Sequence, residues 1–168
     1  MYIKTERLEL KAIDCGSLEA LTELLLDPEV GKTYMVPEFE DREAARKLAR
    51  RIAELSHRAE RYVAGIYWED SLVGIVNETE VEKDRIELGY ALLSRCWGRG
   101  ITTESMKGMI GYCFKQGFSE VTAGAFEDNI ASIRVMEKCG MEKLDRTDSI
   151  DYRGTSHRCI YYSIRVIE

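Results

Sequence analysis

The chain reads Arg95-Cys96-Trp97-Gly98-Arg99-Gly100-Ile101 where an alternating apolar strand ends and an amphipathic helix begins. Glycines at such a junction let the backbone turn sharply and come close to a ligand. The first turn of the helix that follows presents backbone N–H groups with no partners inside the helix, and such groups bind anions. This stretch therefore predicts a phosphate or pyrophosphate site between a strand and a helix.

Alternation of apolar residues marks the strand before the junction, over residues 85–93. Glu87 lies on one face of that strand with the small residues Gly89 and Ala91. The helix after the junction leads to another strand over residues 120–126. A strand, a helix and a strand in succession predict two parallel strands with a right-handed crossover, and a ligand site at their carboxyl ends.

Hydrophobic periodicity divides the rest of the chain into short elements. In chain order it predicts a strand over 8–12, a helix from Asp14 to the Asp27-Pro28 stop, a loop over 29–39, a helix around 44–55, a hairpin over 62–68 and 72–81, a helix over 129–139, and a last hairpin turning near Arg153 and Gly154. The order is β-α-α-β-β-β-α-β-α-β-β. It predicts an α+β (α/β) fold with a mixed, mostly antiparallel sheet of about seven strands and about four helices.

Length and charge limit the possible classes of protein. The 168 residues, 45% of them hydrophobic, suit a single domain over residues 1–168. The net charge of −6 argues against direct nucleic-acid binding and suits cationic substrates such as amines, although plain solubility also accounts for it. The first residues are charged and no apolar run reaches membrane length, so we expect a cytoplasmic protein without membrane contact.

Cysteine and histidine usage points away from several kinds of site. Five cysteines, with no CxxC pair, fit neither a disulfide framework nor a zinc site. His57 and His157 are the only histidines, so a metal site or a Ser/His/Asp triad has little to build on. Gly31-Lys32-Thr33 imitates the end of an ATP-binding phosphate loop, but Leu26 stands where that motif needs its first glycine.

Five short motifs, in order over nearly the whole chain, resemble the GNAT superfamily of acyl-CoA-dependent N-acetyltransferases. The family's pyrophosphate motif is Gln or Arg, two residues, Gly, one residue, then Gly or Ala, and Arg95, Gly98 and Gly100 fill it. The detail is similar to the RimJ/RimL-type branch, which acetylates protein N-terminal amines. The other motifs are Thr5-Glu6-Arg7-Leu8, Glu87-Leu88-Gly89-Tyr90, Asn129-Ile130-Ala131-Ser132 and Glu137-Lys138-Cys139-Gly140-Met141.

The resemblance implies a GNAT-like three-layer fold that uses acetyl-CoA (coenzyme A) as co-substrate and no metal. In the family, the strand before the glycines splays from its neighbour, and its free backbone groups bind the pantetheine and acyl parts. Arg95 and Arg99 would neutralise phosphates, and Arg95 is the better candidate. The alternative is that both side chains face water. Asn129 would cap a helix, contact pantetheine, or both. The implied cofactor-binding residues are Ala91, Leu92, Leu93, Arg95, Gly98, Arg99, Gly100, Ile101, Thr102, Asn129 and Ser132.

Acetyl transfer to an amine needs a base, donors for the oxyanion and a proton for the departing thiolate. Glu87 matches the strand glutamate that some family members use as general base, directly or through water. The alternative is a carboxylate that forms an ion pair with a neighbouring strand or faces solvent. Ser132 matches a hydroxyl near the sulfur and would protonate the thiolate, or else it bonds the helix backbone. Met136 stands where another branch has a tyrosine acid.

The resemblance implies acetyl transfer in a ternary complex to a primary amine, either a protein N-terminus such as that of a ribosomal protein or a small amine such as a polyamine or aminoglycoside. A non-catalytic acyl-CoA sensor is the rival from another class. We expect acceptor recognition from residues 29–39 and the last hairpin, in a monomer or homodimer. For Trp97, core packing is favoured over shielding the loop. For His157, a surface or strand position is favoured over substrate binding.

Overall fold

One eight-stranded sheet forms the centre of the computed structural model, which describes residues 1–166. The strand order is β1-β2-β3-β4-β5-β6-β8-β7, and every neighbouring pair is antiparallel except β5 and β6. The strands are β1 (Tyr2–Lys4), β2 (Leu8–Lys11), β3 (Val63–Trp68), β4 (Ser71–Val81), β5 (Arg85–Leu92), β6 (Glu120–Phe126), β7 (Glu142–Tyr152) and β8 (Thr155–Arg165).

Two pairs of helices pack on this sheet and complete three layers. The helices are α1 (Leu18–Leu26), α2 (Arg42–Ser56), α3 (Ile101–Lys115) and α4 (Ile130–Lys138). The first pair contacts β3 and β4, whereas α3 and α4 contact each other and the strands around β5 and β6. No helix among residues 1–166 combines the length and the apolar character that crossing a membrane requires.

The predicted fold class is confirmed, with one strand more than expected. The additional strand is β1, which pairs antiparallel with β2 from Tyr2 opposite Lys11 to Lys4 opposite Glu9. Its residues are exposed or only half-buried at the edge of the sheet. An edge strand of three residues carries no alternating apolar face, so hydrophobic periodicity does not reveal it.

The parallel pair β5 and β6 opens a wedge in the sheet. Its recorded register runs only from Arg85 opposite Glu120 to Glu87 opposite Thr122. Beyond that point β5 stays paired with β4 as far as Leu92, while β6 stays paired with β8. The two strands therefore diverge towards their carboxyl ends, where backbone groups that would face a neighbouring strand face a gap instead.

The core lies on both faces of the sheet and holds the wedge in place. Leu10 of β2, Leu21 of α1 and Ile66 of β3 are fully buried, and so is Met106 on the side of α3. Burial of one such side chain stabilises the fold by about 1.5–3 kcal/mol. The apolar stripe of α3 thus fixes the helix that starts at the wedge.

Candidate functional site

A cavity of about 440 Å³ opens at the divergent ends of β5 and β6. It is walled by the end of β5, the glycine stretch, the first turns of α3 and α4, and the segment after α1. This volume is in the range of sites for small molecules and cofactors. The predicted cofactor residues that line it are Ala91, Leu92, Gly98, Arg99, Gly100, Ile101, Thr102, Asn129 and Ser132.

Two predicted cofactor residues lie elsewhere. The Leu93 side chain is buried, and its backbone N–H donates to the carbonyl of Val73 at 2.9 Å. The Arg95 side chain is 63% exposed and lies 3.5 Å from the Glu23 carboxylate. Arg99, which the sequence ranked second, is the arginine of the pair that lines the cavity.

Left-handed glycines shape the loop that enters α3. Gly98 has φ +73° and Gly100 has φ +75°, a region that side chains other than glycine's disfavour. Gly100 is the N-cap of α3, and no side chain among residues 1–166 caps the helix there. The N–H groups of the first turn, from Ile101 onward, therefore remain for an anion in the cavity.

The charges of the lining favour an anionic ligand. Four cationic side chains, but only one carboxylate, that of Glu29, contribute to the wall, although the whole chain carries −6. Sequence reasoning missed three of these cations, yet Arg134 and Lys138 are four residues apart on α4 and therefore share one face of that helix. Helical spacing was the signal available for them. The four cationic residues are Lys32, Arg99, Arg134 and Lys138.

A half-buried carboxylate ties the glycine stretch to the start of the chain. Glu104, in the first turns of α3, accepts hydrogen bonds from Thr5 Oγ1 at 2.6 Å and from Arg7 N at 2.8 Å and Nε at 2.7 Å. Arg7 Nη1 also donates to the Arg99 carbonyl at 3.1 Å. Burial alone would raise the pKa of Glu104, but these hydrogen bonds outweigh it and lower that pKa. The motif Thr5-Glu6-Arg7-Leu8 thus braces the loop.

Asn129 and Ser132 form a cap at the start of α4. Asn129 Oδ1 accepts from the Ser132 N–H at 3.2 Å, and Asn129 Nδ2 donates to Ser132 Oγ at 3.0 Å. Because the hydroxyl accepts from Asn129, its own proton can be donated into the cavity. Tyr90 Oη donates to the Ser132 carbonyl at 3.2 Å, and burial raises the pKa of Tyr90 to about 12. Tyr90 is therefore a protonated donor at neutral pH.

The prediction that Trp97 packs in the core is wrong. Its side chain is 47% exposed, and Nε1 donates to the Leu92 carbonyl at 2.7 Å. That carbonyl belongs to the end of β5, beside the wedge, so the indole braces the strand end rather than the interior. His157 occupies a strand position on β8, where its ring stacks on Phe126 with centroids 4.3 Å apart.

Glu87 lies outside the cavity lining, on β5 before the strands diverge. Its Oε1 accepts from Thr79 Oγ1 at 2.9 Å, and its Oε2 lies 3.4 Å from Arg146 Nη1. The carboxylate thus forms an ion pair, as the alternative for this residue proposed, but with β7, which is not a neighbour of β5 in the sheet. A carboxylate has about four lone-pair sites, so the two contacts leave room for an amine or a water.

Residues 29–39 and the last hairpin, both expected at the acceptor side, lie together. Tyr152 Oη, near the tip of β7, donates to the Gly31 carbonyl at 2.7 Å. Tyr34 Oη donates to Asn77 Oδ1 at 2.8 Å, and burial raises the pKa of Tyr34 to about 12. Tyr34 also lines the cavity. The loop therefore forms a wall that the hairpin holds in place.

Metal-ligand and disulfide chemistry have no candidates in residues 1–166. The described residues contain no group of three or more His, Cys, Asp and Glu side chains placed to hold a metal ion. All five cysteines are free, and four of them are buried. Burial raises the pKa of the Cys139 thiol to about 11 and that of Cys113 to about 12, which keeps both protonated at neutral pH.

Comparison with known proteins agrees with this geometry. The sequence model of the Acetyltransferase (GNAT) domain family matches residues 7–142. An uncharacterized N-acetyltransferase of Bacillus licheniformis, p20, is 28% identical over 144 residues, which are 83% of this chain and 81% of that protein.

Two solved structures share the fold over nearly their whole length. One is a GNAT-family acetyltransferase from Bacillus anthracis, with a TM-score of 0.84, 23% identity and 98% of each chain covered. The other is RimL, a ribosomal L7/L12 α-N-protein acetyltransferase in complex with coenzyme A, with a TM-score of 0.86, 21% identity, and 99% of this chain and 98% of that chain covered.

Proposed function

The chain belongs to the GNAT acetyltransferase family and is an acetyl-CoA-dependent N-acetyltransferase, and we propose that it acetylates protein N-terminal α-amines by direct attack in a ternary complex. One observation carries the choice of acceptor. The wall formed by residues 29–34 and the hairpin tip lies beside the cavity, where a flexible chain end can enter. The likeness to RimL, an α-N-protein acetyltransferase, supports this choice.

The cavity fits the phosphate end of acetyl-CoA. The N–H groups at the start of α3 would bind the pyrophosphate, and Arg99, whose guanidinium lies 5.3 Å from the centre of the Trp68 ring, would turn to add its positive charge. Arg134 and Lys138 would bind the remaining phosphate of coenzyme A. In this proposal Arg99 takes the role for which the sequence favoured Arg95, whose side chain points to Glu23.

The acyl end of acetyl-CoA would lie along the divergent end of β5. Backbone groups of Ala91 and Leu92 line the cavity there and would bind the acyl carbonyl and the pantetheine amides. The Leu93 N–H is already bonded to Val73, so we exclude it from this role. Asn129 would combine its capping role with a pantetheine contact, because it also lines the cavity.

The chemistry needs one proton to travel from amine to thiolate. Glu87 would remove it, directly or through a water, as the amine nitrogen attacks the thioester carbon. The new C–N bond forms, the tetrahedral oxyanion collapses and the C–S bond breaks. Ser132 would donate its hydroxyl proton to the sulfur and be reprotonated from solvent, while Glu87 releases to solvent the proton that it took from the amine. The products are the acetylated amine and coenzyme A with a free thiol.

An acceptor screen tests the proposal. Peptides with a free N-terminus and one internal lysine are incubated with acetyl-CoA, beside the same peptides with blocked N-termini, spermidine and an aminoglycoside. We expect one added acetyl group, located on the α-amine by fragment mass spectrometry, and no product from the blocked peptides. Product only from lysine, spermidine or the aminoglycoside would overturn the choice of acceptor.

The same screen addresses the rival from another class. A sensor would bind acetyl-CoA in a calorimetric titration and release no thiol with any amine. Thiol release that depends on an added amine excludes that function for this chain.

A further inference from the structure

A break in the register of β7 brings an arginine to the face that carries Glu87. Lys143 pairs with Tyr162 and Thr147 with Ile160, so three residues of β7 lie opposite Tyr161 alone. Extra residues of this kind bend a strand and redirect its side chains. Here the redirected side chain is that of Arg146, whose guanidinium carbon lies 3.8 Å from the centre of the Tyr161 ring.

A glycine on the neighbouring strand makes room for this stack. Gly124 of β6 pairs with Tyr161, and a Cβ at position 124 would come within 2.8 Å of Tyr161 Cε1. That distance is too short for two carbon atoms, so only glycine lets the tyrosine ring lie over β6 in this way. The ring then supports the guanidinium from below, through a cation–π contact.

The supported guanidinium reaches two carboxylates. Arg146 Nη1 lies 3.4 Å from Glu87 Oε2, and Arg146 Nη2 lies 3.2 Å from Asp148 Oδ2. Thr79 Oγ1 holds the other oxygen of Glu87 at 2.9 Å. The carboxylate of Glu87 is therefore held from both sides, by a hydroxyl on β4 and a guanidinium on β7.

Stability alone gives a poor account of this arrangement. The Arg146 side chain is 39% exposed, and ion pairs of such exposure contribute little to folding. Yet three local features together place this one guanidinium. They are the irregular pairing of β7, the glycine in β6 and the Tyr161 ring that lies over β6. Preorganised orientation of a reacting group is what such support provides in an active site.

We propose that Arg146 is a positioning residue that holds the Glu87 carboxylate in the orientation from which it accepts the acceptor's proton. This inference rests on the proposed role of Glu87. Arg146 itself does not touch the reacting atoms. Its effect on turnover runs through Glu87, and since Arg146 does not line the cavity, acetyl-CoA binding is left to other residues.

A double-variant cycle tests the inference, using the amine that the wild-type enzyme acetylates best. Arg146→Gln should lower kcat about tenfold, since small misplacements of a catalytic group have effects of this size or more, and should leave KM for acetyl-CoA within about twofold. In the Glu87→Gln background the same substitution should change kcat less than about twofold, because the group it positions is gone. Arg146→Lys, which keeps the charge but not the planar fork, should recover part of the loss.

The matched control is Arg50→Gln. Arg50 lies on α2, away from the cavity and the last hairpin, and pairs with Glu43 at 3.0 Å, so this substitution removes a comparable exposed ion pair without touching Glu87. Its kcat should match that of the wild type. Thermal melting of all variants separates loss of folded protein from loss of turnover.

Two results would overturn the inference, and they differ in meaning. If the effects of Arg146→Gln and Glu87→Gln multiply in the double variant, Arg146 acts independently and its positioning role is wrong while Glu87 stands. If Glu87→Gln alone leaves kcat and its pH profile unchanged, the proposed base is wrong and the inference fails with it.

Discussion

The functional cleft has two ends that are built in different ways. The cofactor end comprises the glycine stretch with the starts of α3 and α4, and the acceptor end comprises Glu87, residues 29–34 and the last hairpin. At the cofactor end, contacts between residues close in sequence shape the strand end and the start of α4: Trp97 binds Leu92 five residues away, and Asn129 binds Ser132 three residues away. A brace from Thr5 and Arg7 to Glu104 adds long-range support there. At the acceptor end, contacts join distant strands and loops. Arg146 meets Glu87 across 59 residues, and Tyr152 meets Gly31 across 121.

This difference explains why one end of the cleft can be recognised and the other cannot. Backbone N–H groups at a glycine turn bind a phosphate through a short stretch of chain, so the chemistry leaves a local motif. Side chains that meet across a sheet leave no such pattern, because their spacing depends on strand order and register. The sequence therefore indicates which cofactor binds, but it does not indicate which acceptor binds.

Of the substitutions at either end, Glu87→Gln at the acceptor end should lower kcat most. Removing a general base typically costs about 100-fold or more in rate, and glutamine keeps the size of the side chain while removing its basicity. We expect kcat to fall about 100-fold while KM for acetyl-CoA stays within about twofold, measured by thiol release.

The opposite pattern would erase the contrast between the two ends. If Glu87→Gln raised KM for acetyl-CoA and left kcat unchanged, the carboxylate would belong to the cofactor end and would not be the base.

Gly100→Ala should damage the cofactor end instead. Gly100 has φ +75°, and a residue with a Cβ in that region is strained by about 1–2 kcal/mol. We expect the loop to shift and KM for acetyl-CoA to rise about tenfold, which corresponds to about 1.4 kcal/mol, with kcat within about twofold.

Gly111→Ala is the matched control on the same helix. A Cβ at Gly111 meets no atom within 4 Å, and its backbone is helical. Alanine there should leave KM unchanged and raise stability by about 0.5–1 kcal/mol, measured by chemical denaturation. Equal effects of the two substitutions on KM would show that the left-handed turn is not what binds the cofactor.

Periodicity and turn residues were sufficient for the helices and the central strands. The prediction of β6 over residues 120–126 matches the structure, and Asn129 caps α4 as one of its two interpretations required. The missed strand β1 and the exposed Trp97 have different reasons. β1 is set by its pairing with β2, which overrides local pattern, whereas the indole of Trp97 is held outside the core by a hydrogen bond to the Leu92 carbonyl, five residues away.

The candidate site shows the same limit of what local sequence pattern can predict. Sequence analysis predicted a cofactor role for Gly98, Gly100 and Ser132, and all three line the cavity, since each is fixed by a local turn or helix start. It favoured Arg95 over Arg99, because sequence spacing does not say which of two nearby side chains points inward. The direction depends on the short turn before Trp97 and on Glu23, which draws Arg95 towards α1.

Glu104→Gln should weaken the brace that joins the cofactor end to the start of the chain. The pKa of Glu104 is lowered, against the effect of burial, by hydrogen bonds from Thr5 and Arg7. A carboxylate of this kind stabilises the fold above its unfolded pKa, about 4.5, and that stabilisation is lost as pH falls through the lower folded value. We expect a loss of about 1 kcal/mol at pH 7, a modest value because Arg7 is 41% exposed.

Urea denaturation at several pH values measures this loss. The difference between wild type and Glu104→Gln should be full at pH 7 and should shrink as pH falls from about 4.5, the unfolded pKa, through the lower folded pKa, below which the wild-type carboxylate is also neutral. A difference that is constant with pH would mean that packing, rather than charge, holds the brace.

Ser132→Ala should have the smallest effect, although the residue lies at the point where the two ends meet. A thiolate leaves readily because thiols have a pKa of about 8.5, so a proton donor helps less here than in reactions with poor leaving groups. We expect kcat to fall about threefold to fivefold, with affinity for acetyl-CoA changed by no more than about threefold. The measurement is kcat from thiol release, beside calorimetric binding of acetyl-CoA.

Ser105→Ala is the control for the small fall in kcat expected of Ser132→Ala. Ser105 of α3 donates to the Thr102 carbonyl at 2.9 Å, which is the backbone role that was the alternative for Ser132. If Ser132 acts on the sulfur, its variant loses turnover at unchanged stability, whereas Ser105→Ala loses stability at unchanged turnover. Equal behaviour of the two variants would make Ser132 a helix residue only. Thiolate departure would then need no side-chain acid, and the chemistry of the cleft would fall to the acceptor end alone.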